Sequence, residues 1–414
     1  MRKLHFTASV FLLFVFSAKA QSLTIDSSYK LAENNYPLIK QYDLIEKTKE
    51  YNISNANKAY LPQVSITAIE GYVFGDFPSM GSGSDSKFKF IGIGQVNQTI
   101  WDGGATKTQK KILESSTKVK KTNIDVSLRE LRSRVNQLYF GILLIDEQLK
   151  QLAVQNGILN NNIDKVKKLN ENGYSYKMDV DEIQVEQLKL KQQQKDFIFT
   201  RKGYIKMLSY LINTKIDDQT KFEKPITADP SPDATIKRPE LLLYQNQRDL
   251  ADVNAEMHKV NLMPKIGVLG AGIMLAPGMS LGNTTISTLG VVGLNASWNI
   301  NALYKNGNEK ELTKLEKDKI NVQEQTFLFN TNLQIDQKTA DIDRQKEILK
   351  DDDAIIALRA NIQKGYQLKY DNGAGPLVDL LNAIENEKDA HTQKALHEIQ
   401  LLMSMYDYQT IIGN

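Results

Sequence analysis

One stretch of this chain, residues 105 to 170, contains no proline and no other strong helix breaker apart from the tolerated Gly141 and Gly157. From Ile124 to Leu152 its apolar residues alternate in steps of four and three, which is the a/d pattern of a left-handed coiled coil. At about 1.5 Å per residue, one helix of this length would reach roughly 100 Å. A compact globule has no room for such a helix, so the sequence predicts an elongated coiled-coil protein.

The chain also carries the same three landmarks twice, in the same order. Tyr36-Pro37, Leu61-Pro62 and Asn172-Gly173 match Arg238-Pro239, Met263-Pro264 and Asn372-Gly373 at offsets of 202, 202 and 200 residues. The predicted organisation is a signal peptide at 1–20, a first repeat at 21–216 (helix, hairpin 63–101, long helix 105–170, helix 177–212), a linker at 217–237, and a second repeat at 238–414 (helix, hairpin 265–300, long helix 308–369, helix 377–412). Three prolines, Pro225, Pro230 and Pro232, prevent a continuous helix through the linker.

The two predicted hairpins consist of strands of about 10 to 15 residues, a length that crosses a bilayer as a tilted β-strand. In the first strand Val64, Ile66 and Ala68 share one face, and Gln63 and Ser65 share the other. The same pattern fits a small sheet packed on the helices. Four strands are too few to close a barrel, and an open sheet in lipid would leave two edges of unpaired backbone groups. If these strands enter a membrane, several chains must therefore pool them.

The first twenty residues have the pattern of a secretory signal peptide. Arg2 and Lys3 precede an apolar stretch from Phe6 to Val15, and the small-x-small triplet Ala18-Lys19-Ala20 follows. The apolar stretch is shorter than the roughly 18 to 20 residues that a transmembrane helix requires, and no comparable stretch follows it. We therefore expect an exported chain without a membrane-spanning helix.

The composition excludes several classes of function. Because the chain has no cysteine, it can form no disulfide framework, thiolate zinc site or cysteine nucleophile. Loss of Arg2, Lys3 and Lys19 with the signal peptide leaves 49 cations against 49 acids, and this balance argues against a nucleic-acid partner. The mature chain has no HExxH, P-loop, nucleophile-elbow or dinucleotide motif. We therefore expect no enzyme activity, no metal and no cofactor.

These features together resemble the TolC-like outer-membrane efflux proteins, the outer-membrane factors of tripartite efflux and type I secretion systems. The resemblance is carried by the duplicated order of elements and by Asn-Gly-x5-Asp-[Val/Leu] segments at Asn172 to Val180 and Asn372 to Leu380. It is also carried by Trp101-Asp102-Gly103-Gly104, where strand gives way to long helix. Asn301-Ala302-Leu303 with Asn306-Gly307 is similar to a degraded second copy of that junction.

The resemblance covers residues 22 to 413 and implies a mainly α fold with transmembrane β strands. In a homotrimer, four strands per chain would form one twelve-stranded β-barrel in outer-membrane lipid, and the long coiled-coil helices would form an α-barrel across the periplasm. Such a protein is a passive exit duct that works with a periplasmic adaptor (membrane fusion) protein and an inner-membrane pump or ABC transporter. The alternative is a soluble periplasmic coiled-coil adaptor or scaffold, although adaptors usually carry one coiled-coil hairpin whereas this chain duplicates the helical unit.

The resemblance also assigns candidate gate residues at the helix-hairpin tips. Asp379 matches an acidic position that faces the pore, where three carboxylates would attract cations, and Asn382 replaces a second Asp. Asp179 and Tyr370 match members of a latch network, but Gly375 replaces the Arg that the latch requires. Both aspartates would serve equally well as simple N-terminal helix caps.

The same tips are the region where the resemblance implies docking of the adaptor. They comprise residues 170–181 and 370–382, with the turn residues Asn172, Gly173, Asn372 and Gly373. Opening of the duct is expected to move the tip helices apart and so widen the carboxylate ring.

Overall fold

The computed structural model describes residues 22–72, 74, 88–226, 229–231, 235–277 and 287–413, and the predicted signal peptide lies outside this range. The elements are β1 (Ser22–Leu23), α1 (Ile25–Asn35), α2 (Gln41–Asn57), β2 (Gln63–Tyr72), β3 (Phe88–Trp101), α3 (Ala105–Glu171), α4 (Lys177–Ile212), β4 (Lys221–Phe222), α5 (Pro239–Val260), β5 (Lys265–Pro277), β6 (Ser287–Ser297), α6 (Asn301–Asp371) and α7 (Leu377–Ile412). None of the described helices has an apolar stretch long enough to cross a bilayer.

The second long helix differs from the expectation at its start. It begins at Asn301 rather than at residue 308, because Gly307 lies inside the helix instead of marking its boundary. A glycine in a helix interior costs about 1 kcal/mol relative to alanine and is tolerated in a long helix. The preceding strand, β6, ends at Ser297 rather than at residue 300, since the chain turns there before the helix begins.

The chain divides into two compact units. The first, here called the helix unit, contains Met1–Tyr36, Leu128–Ile236 and Leu333–Asn414; the second, here called the sheet unit, contains Pro37–Ser127 and Lys237–Asn332. Both α3 and α6 contribute residues to both units. Each unit draws on both predicted repeats, and the division into repeats stays a prediction.

The sheet unit contains a four-stranded antiparallel sheet in the order β2-β3-β5-β6. Its register places Ile66, Gly94, Gly272 and Gly290 side by side across the four strands. A β-bulge shifts the pairing of β3 with β5 between Thr99 and Trp101. Among the described strands β2 pairs only with β3, and β6 pairs only with β5, so both outer strands present open edges.

The core of the helix unit forms where α1, α3, α4 and α7 meet. Its fully buried side chains include Tyr139, Phe140, Ile142, Ile25 and Leu208. The Tyr139 hydroxyl lies 2.6 Å from the carbonyl oxygen of Leu23 and 2.8 Å from that of Glu223. Tyr139 therefore ties α3 to the short parallel pair of β1 and β4.

The apolar seam predicted in α3 is buried or half-buried along its length. Its residues are Ile124, Leu128, Leu131, Val135, Leu138, Ile142, Ile145, Leu149 and Leu152. Asn136, Tyr139, Phe140 and Leu143 are buried beside it. The buried face is thus wider than a two-helix seam, because α3 packs against several elements at once.

The apolar residues of α6 behave differently. In the sheet unit Leu312, Leu315, Val322 and Phe329 are between 57% and 64% exposed. In the helix unit Ile355, Leu358 and Ile362 are also exposed. These residues, here called the α6 stripe, form an apolar helix face that the described part of the chain leaves open to solvent, as interaction surfaces do.

Candidate functional site

The junction between β3 and α3 is held by a buried carboxylate. Asp102 is 7% exposed and accepts hydrogen bonds from the backbone N–H of Gly104 at 2.9 Å and of Thr106 at 2.7 Å. Burial acts to raise the pKa of Asp102, but hydrogen bonds from Thr106, Tyr60 and Gly104 outweigh it and lower the pKa to about 2. Asp102 is therefore an ionised cap for a helix of 67 residues.

The two glycines of this junction have different surroundings. Both adopt left-handed backbone conformations, with φ of 71° at Gly103 and 92° at Gly104, which favour glycine. A Cβ on Gly103 would lie 2.7 Å from the Cβ of Met263, whereas a Cβ on Gly104 would first meet Val260 at 4.0 Å. Gly103 thus allows the junction to pack directly against the turn between α5 and β5.

The corresponding junction after β6 has another construction. Neither the Asp cap nor the left-handed glycines of the first junction recur there, since Asn306 and Gly307 lie within α6. Instead the N–H of Ala302 donates to the carbonyl of Asn299 at 3.2 Å. The Trp298 indole donates to the carbonyl of Leu262 at 3.0 Å and so ties this junction to the end of α5.

Both tryptophans of the chain lie at this same end of the sheet. Trp101 ends β3 and pairs with Ile266, while Trp298 directly follows Ser297, whose partner is Lys265. Both indole side chains are exposed. The strand ends that adjoin the long helices therefore carry an exposed aromatic pair.

The first hairpin tip joins α3 to α4 through a tight turn. Gly173 adopts a φ of 77°, and the N–H of Tyr174 donates to the carbonyl of Leu169 at 2.8 Å, as in a glycine-terminated helix. The Asn172 amide donates to the carbonyl of Lys168 at 2.7 Å. Asn172 and Gly173 are therefore explained by the turn itself.

The second tip, between α6 and α7, repeats this geometry. Gly373 has a φ of 69°, the N–H of Ala374 donates to the carbonyl of Lys369 at 2.8 Å, and the Asn372 amide donates to that of Leu368 at 2.8 Å. The sequence landmarks Asn172-Gly173 and Asn372-Gly373 thus mark two turns of the same construction.

The four candidate gate residues occupy different environments. Asp179 and Asp379 are half-buried in the first turns of α4 and α7, and Asn382 is exposed. The Tyr370 hydroxyl oxygen is buried and has no hydrogen-bond partner within the described residues. Burial raises the pKa of the Tyr370 phenol, and the nearby Asp179 carboxylate raises it further. Asp179 is therefore near enough to act on the Tyr370 hydroxyl electrostatically, and a latch role for these two residues stays a prediction.

Polar contacts that sequence reasoning missed connect α3 with α6 and α7 beside the tips. The Lys165 ammonium lies 3.1 Å from the Asp371 carboxylate, and the Gln367 amide donates to Asn162 at 3.0 Å. Further along the helices, the Gln155 amide donates to the Glu385 carboxylate at 2.9 Å. No local pattern reveals these contacts, because the partners are more than 200 residues apart in sequence.

An apolar cluster packs beneath the tips in the helix unit. It contains Leu159, Ile163 and Val166 of α3, Ile183 of α4, and Leu377, Leu380 and Ile384 of α7. Buried Leu377 and Leu380 therefore anchor the first turn of α7. Asp379 lies in that same turn. Within the described residues, no cluster of three or more His, Asp or Glu side chains has the arrangement of a metal site.

Comparisons with known proteins identify the fold. No protein-family model matches the chain, and no curated protein matches it. Among solved structures, it is similar to the outer-membrane protein VceC from Vibrio cholerae, with a TM-score of 0.67, 12% identity, and 94% of this chain and 96% of VceC covered. It is also similar to the outer-membrane channel CmeC from Campylobacter jejuni, with a TM-score of 0.66, 15% identity and coverage of 94% and 85%.

A third similar structure is the open state of the MtrE outer-membrane channel from Neisseria gonorrhoeae, with a TM-score of 0.64, 12% identity, and 94% of this chain and 89% of MtrE covered. Each of these likenesses covers 94% of the chain. The chain therefore has the TolC-like fold of these outer-membrane channels, as the resemblance of its sequence motifs predicts.

Proposed function

We propose that this chain is the outer-membrane exit duct of a tripartite efflux or type I secretion system. It acts as a homotrimer that spans the outer membrane and extends into the periplasm. Transport through it is passive, with energy supplied by an inner-membrane pump or ABC transporter and contact made through a periplasmic adaptor. The shared fold supports the channel role, and the need for a pump and an adaptor is taken from the resemblance to the family.

The two open edges of the sheet carry this proposal. Because the four strands alternate in direction, β6 of one copy runs antiparallel to β2 of the next. Copies arranged in a ring can therefore join edge to edge with ordinary antiparallel hydrogen bonding. Closure removes the unpaired N–H and C=O groups that an isolated sheet would expose to lipid.

The side chains of one sheet face support its contact with lipid. This face, here called the outer face, carries Val64, Ile66, Tyr72, Ile266, Val292, Leu294 and Trp101, and Trp298 directly follows the last residue of β6. Ile66 and Leu294 are 83% exposed. Exposed apolar strands that end in tryptophans match the lipid-facing band and interfacial aromatic girdle of membrane barrels. The charged Glu70 lies towards the opposite strand end, where burial against lipid costs little.

The α6 stripe supplies a second surface for contact between copies. Its leucine, valine, isoleucine and phenylalanine side chains recur along one face of α6 and are exposed. Packing against a neighbouring helix would remove this apolar area from water, at about 25 cal/mol per Å². A ring of copies thus accounts for both the open strand edges and the exposed stripe.

The hairpin tips are the proposed adaptor-docking surface. The first tip presents Tyr174, Tyr176 and Met178, all strongly exposed, whereas the second presents Gly373 and Gly375. Exposed tyrosines and methionine are typical of contact surfaces between proteins. The two tips therefore offer alternating bulky and small surfaces to a partner.

The experiment that tests this proposal combines fractionation with cysteine cross-linking, which the cysteine-free chain permits without background. Ile66→Cys on β2 is paired in turn with single cysteines along β6, and oxidation is followed on denaturing gels. We expect outer-membrane localisation and covalent dimers and trimers for at least one pair. The control pair Val96→Cys and Gly270→Cys, neighbours on central strands, should form only intrachain bonds. A soluble periplasmic monomer without interchain bonds would instead support the adaptor or scaffold alternative.

A further inference from the structure

The end of the sheet unit where the strands meet the helices carries an excess of positive charge. The sheet register brings four segments together there, residues 57–63, 98–111, 256–266 and 295–310, here called the junction belt. These segments contain one, three, two and two lysines in that order, but only three carboxylates altogether. Because the whole chain has 52 cations against 49 acids, this excess is a local feature of the junction.

The carboxylates of the junction belt do not neutralise this charge. Asp102 accepts hydrogen bonds from backbone N–H groups of its own turn. Glu256 lies 2.7 Å from the Lys111 ammonium, and Glu309 lies 3.5 Å from the His258 imidazole. The exposed lysines of the belt that form no ion pair with any described residue are Lys58, Lys107, Lys259, Lys265, Lys305 and Lys310.

Two of these lysines flank the groove between α3 and α5. Lys107 lies one turn before Lys111 on the same face of α3, and Lys259 lies one turn after Glu256 on α5. Since α3 leaves the sheet and α5 approaches it, both lysines lie about one helical turn nearer to the sheet than the Lys111–Glu256 pair. The approach of α5 to Gly104 closes the groove at its sheet end. Lys107 and Lys259 therefore face a common space without a counter-charge.

The neighbouring contact between α5 and α6 repeats this arrangement. Lys305 lies one turn before Glu309, the partner of His258, and so lies on the sheet side of that pair. Tyr304 beside it is 81% exposed, and Trp298 is 57% exposed. Exposed aromatic side chains next to exposed cations are typical of a protein surface at the boundary between lipid and water.

This inference rests on the duct proposed above, in which the sheet lies in lipid and the helices begin at the periplasmic surface of the outer membrane. We propose that Lys107, Lys259 and Lys305 bind the phosphate headgroups of anionic phospholipids in the periplasmic leaflet. Lysines at a membrane surface attract anionic lipids, and their aliphatic stems can lie along apolar surface while the ammonium groups remain in the headgroup layer.

The acyl chains of such a lipid have a surface to occupy beside the headgroup site. The outer face begins at the junction belt with Trp101 and Ile266, which pair across β3 and β5 and are both exposed. A free phosphate lacks these apolar contacts and should bind more weakly. A bound headgroup supplies the counter-charge that Lys107 and Lys259 lack, and so fixes the depth of the sheet in the membrane.

The test is native mass spectrometry of the purified trimer during titration with dioleoylphosphatidylglycerol or dioleoylphosphatidylcholine. The wild type should bind phosphatidylglycerol more tightly than phosphatidylcholine, and salt should weaken that preference by screening. The variant Lys107→Gln, Lys259→Gln and Lys305→Gln should bind phosphatidylglycerol about fivefold or more weakly. Displacement of the lipid by an equal concentration of inorganic phosphate would overturn the lipid assignment.

The matched control makes the same charge change farther from the sheet. Lys118→Gln, Lys314→Gln and Lys319→Gln remove exposed lysines of α3 and α6 that form no ion pair with any described residue, and should leave phosphatidylglycerol binding unchanged. An equal loss in this control would contradict a specific site. Unchanged lipid binding in the Lys107, Lys259 and Lys305 variant, together with altered ion selectivity of its channel, would place these lysines on the passage and overturn the proposal.

The outcomes separate this inference from the duct itself. An outer-membrane trimer that binds both lipids equally overturns the headgroup site and leaves the exit duct standing, whereas a soluble wild-type monomer overturns both. If the triple variant does not assemble, Lys305→Gln alone removes a fully solvated ammonium outside the contact of α3 with α5. It should then weaken phosphatidylglycerol binding about twofold or more, and unchanged binding would count against the site.

Discussion

The carboxylate of Asp179 accepts a hydrogen bond from the backbone N–H of Tyr176 at 3.0 Å and another from the Ser175 hydroxyl at 2.7 Å. Asp379 stands at the same place in the second tip, but Pro376 stands where Tyr176 does. Proline has no N–H to donate. The two matched aspartates therefore have different surroundings, with Asp179 bound to its own turn and Asp379 without that bond.

This difference predicts unequal effects on stability. Asp179→Ala should lower the free energy of unfolding by about 1 kcal/mol, because it removes a helix cap. Asp379→Ala should cost less, since only the favourable interaction with the helix dipole, roughly 0.3–1 kcal/mol, is lost. Thermal melting of the detergent-solubilised protein measures both. Equal losses of stability in the two variants would show that having Pro376 in place of a tyrosine does not change how the aspartate caps its helix.

The second prediction concerns ion selectivity at the tips. If Asp379 faces the passage, as the family resemblance implies, Asp379→Asn should lower the cation-to-anion permeability ratio about twofold or more, because a ring of three carboxylates is removed. Asn382→Asp should raise the ratio by adding a second ring. Reversal potentials across a salt gradient measure both variants. Unchanged ratios in both would place these residues away from the passage.

We expect the ion pair between Lys165 and Asp371 to help hold the tips closed, since Gly375 stands where the family has the latch arginine. Each partner is partly exposed, so the pair contributes about 0.2–1 kcal/mol. Asp371→Asn should raise the open probability of the channel about two- to fivefold at low salt, and less at high salt because the charges are screened.

The matched control for Asp371→Asn is Glu147→Gln. It breaks an ion pair with Lys150 inside α3 and leaves contacts between helices intact. Single-channel recording of the two variants distinguishes a tip contact from a general charge effect, since an equal increase in both would remove Lys165 and Asp371 from the gate.

The depressed pKa of Asp102 predicts a dependence of stability on pH. The native carboxyl has a pKa of about 2 against 3.8 for an unperturbed aspartate, so its stabilisation is fully present above pH 4 and is lost as the pH falls through 2. Asp102→Asn should therefore be less stable than the wild type by roughly 1–3 kcal/mol near neutral pH. The difference between the two melting temperatures should shrink between pH 4 and pH 2, and a constant difference would contradict the assignment.

Replacing glycine by alanine should have opposite effects on the free energy of unfolding at Gly103 and at Gly307. Gly103→Ala should lower the free energy of unfolding by about 1–3 kcal/mol, because its φ is left-handed and the new methyl group meets Met263. Gly307→Ala should raise it by up to about 1 kcal/mol, since that site is an open position inside α6. Melting curves of the two variants test the junction geometry directly.

Much of the fold could be predicted because local rules act over short distances. The seam from Ile124 to Leu152 is buried as its period indicates, and Asn172-Gly173 and Asn372-Gly373 form the turns that a left-handed glycine permits. Trp101-Asp102-Gly103-Gly104 likewise contains its own cap within a few residues. The start of α6 differs from the prediction, because a single glycine is a weak signal against the propensity of a long helix.

The contacts that connect distant segments were decided only by tertiary structure. The sequence by itself determined the long helices, the duplicated turns and the alternation of the strands, since each depends on residues a few positions apart. Tertiary structure decided that Lys165 meets Asp371, that Asp179 acts on the Tyr370 hydroxyl, and that Ile93, Ile273 and Leu289 align in one register row. These depend on register and packing between segments about 200 residues apart in sequence, which no local preference specifies.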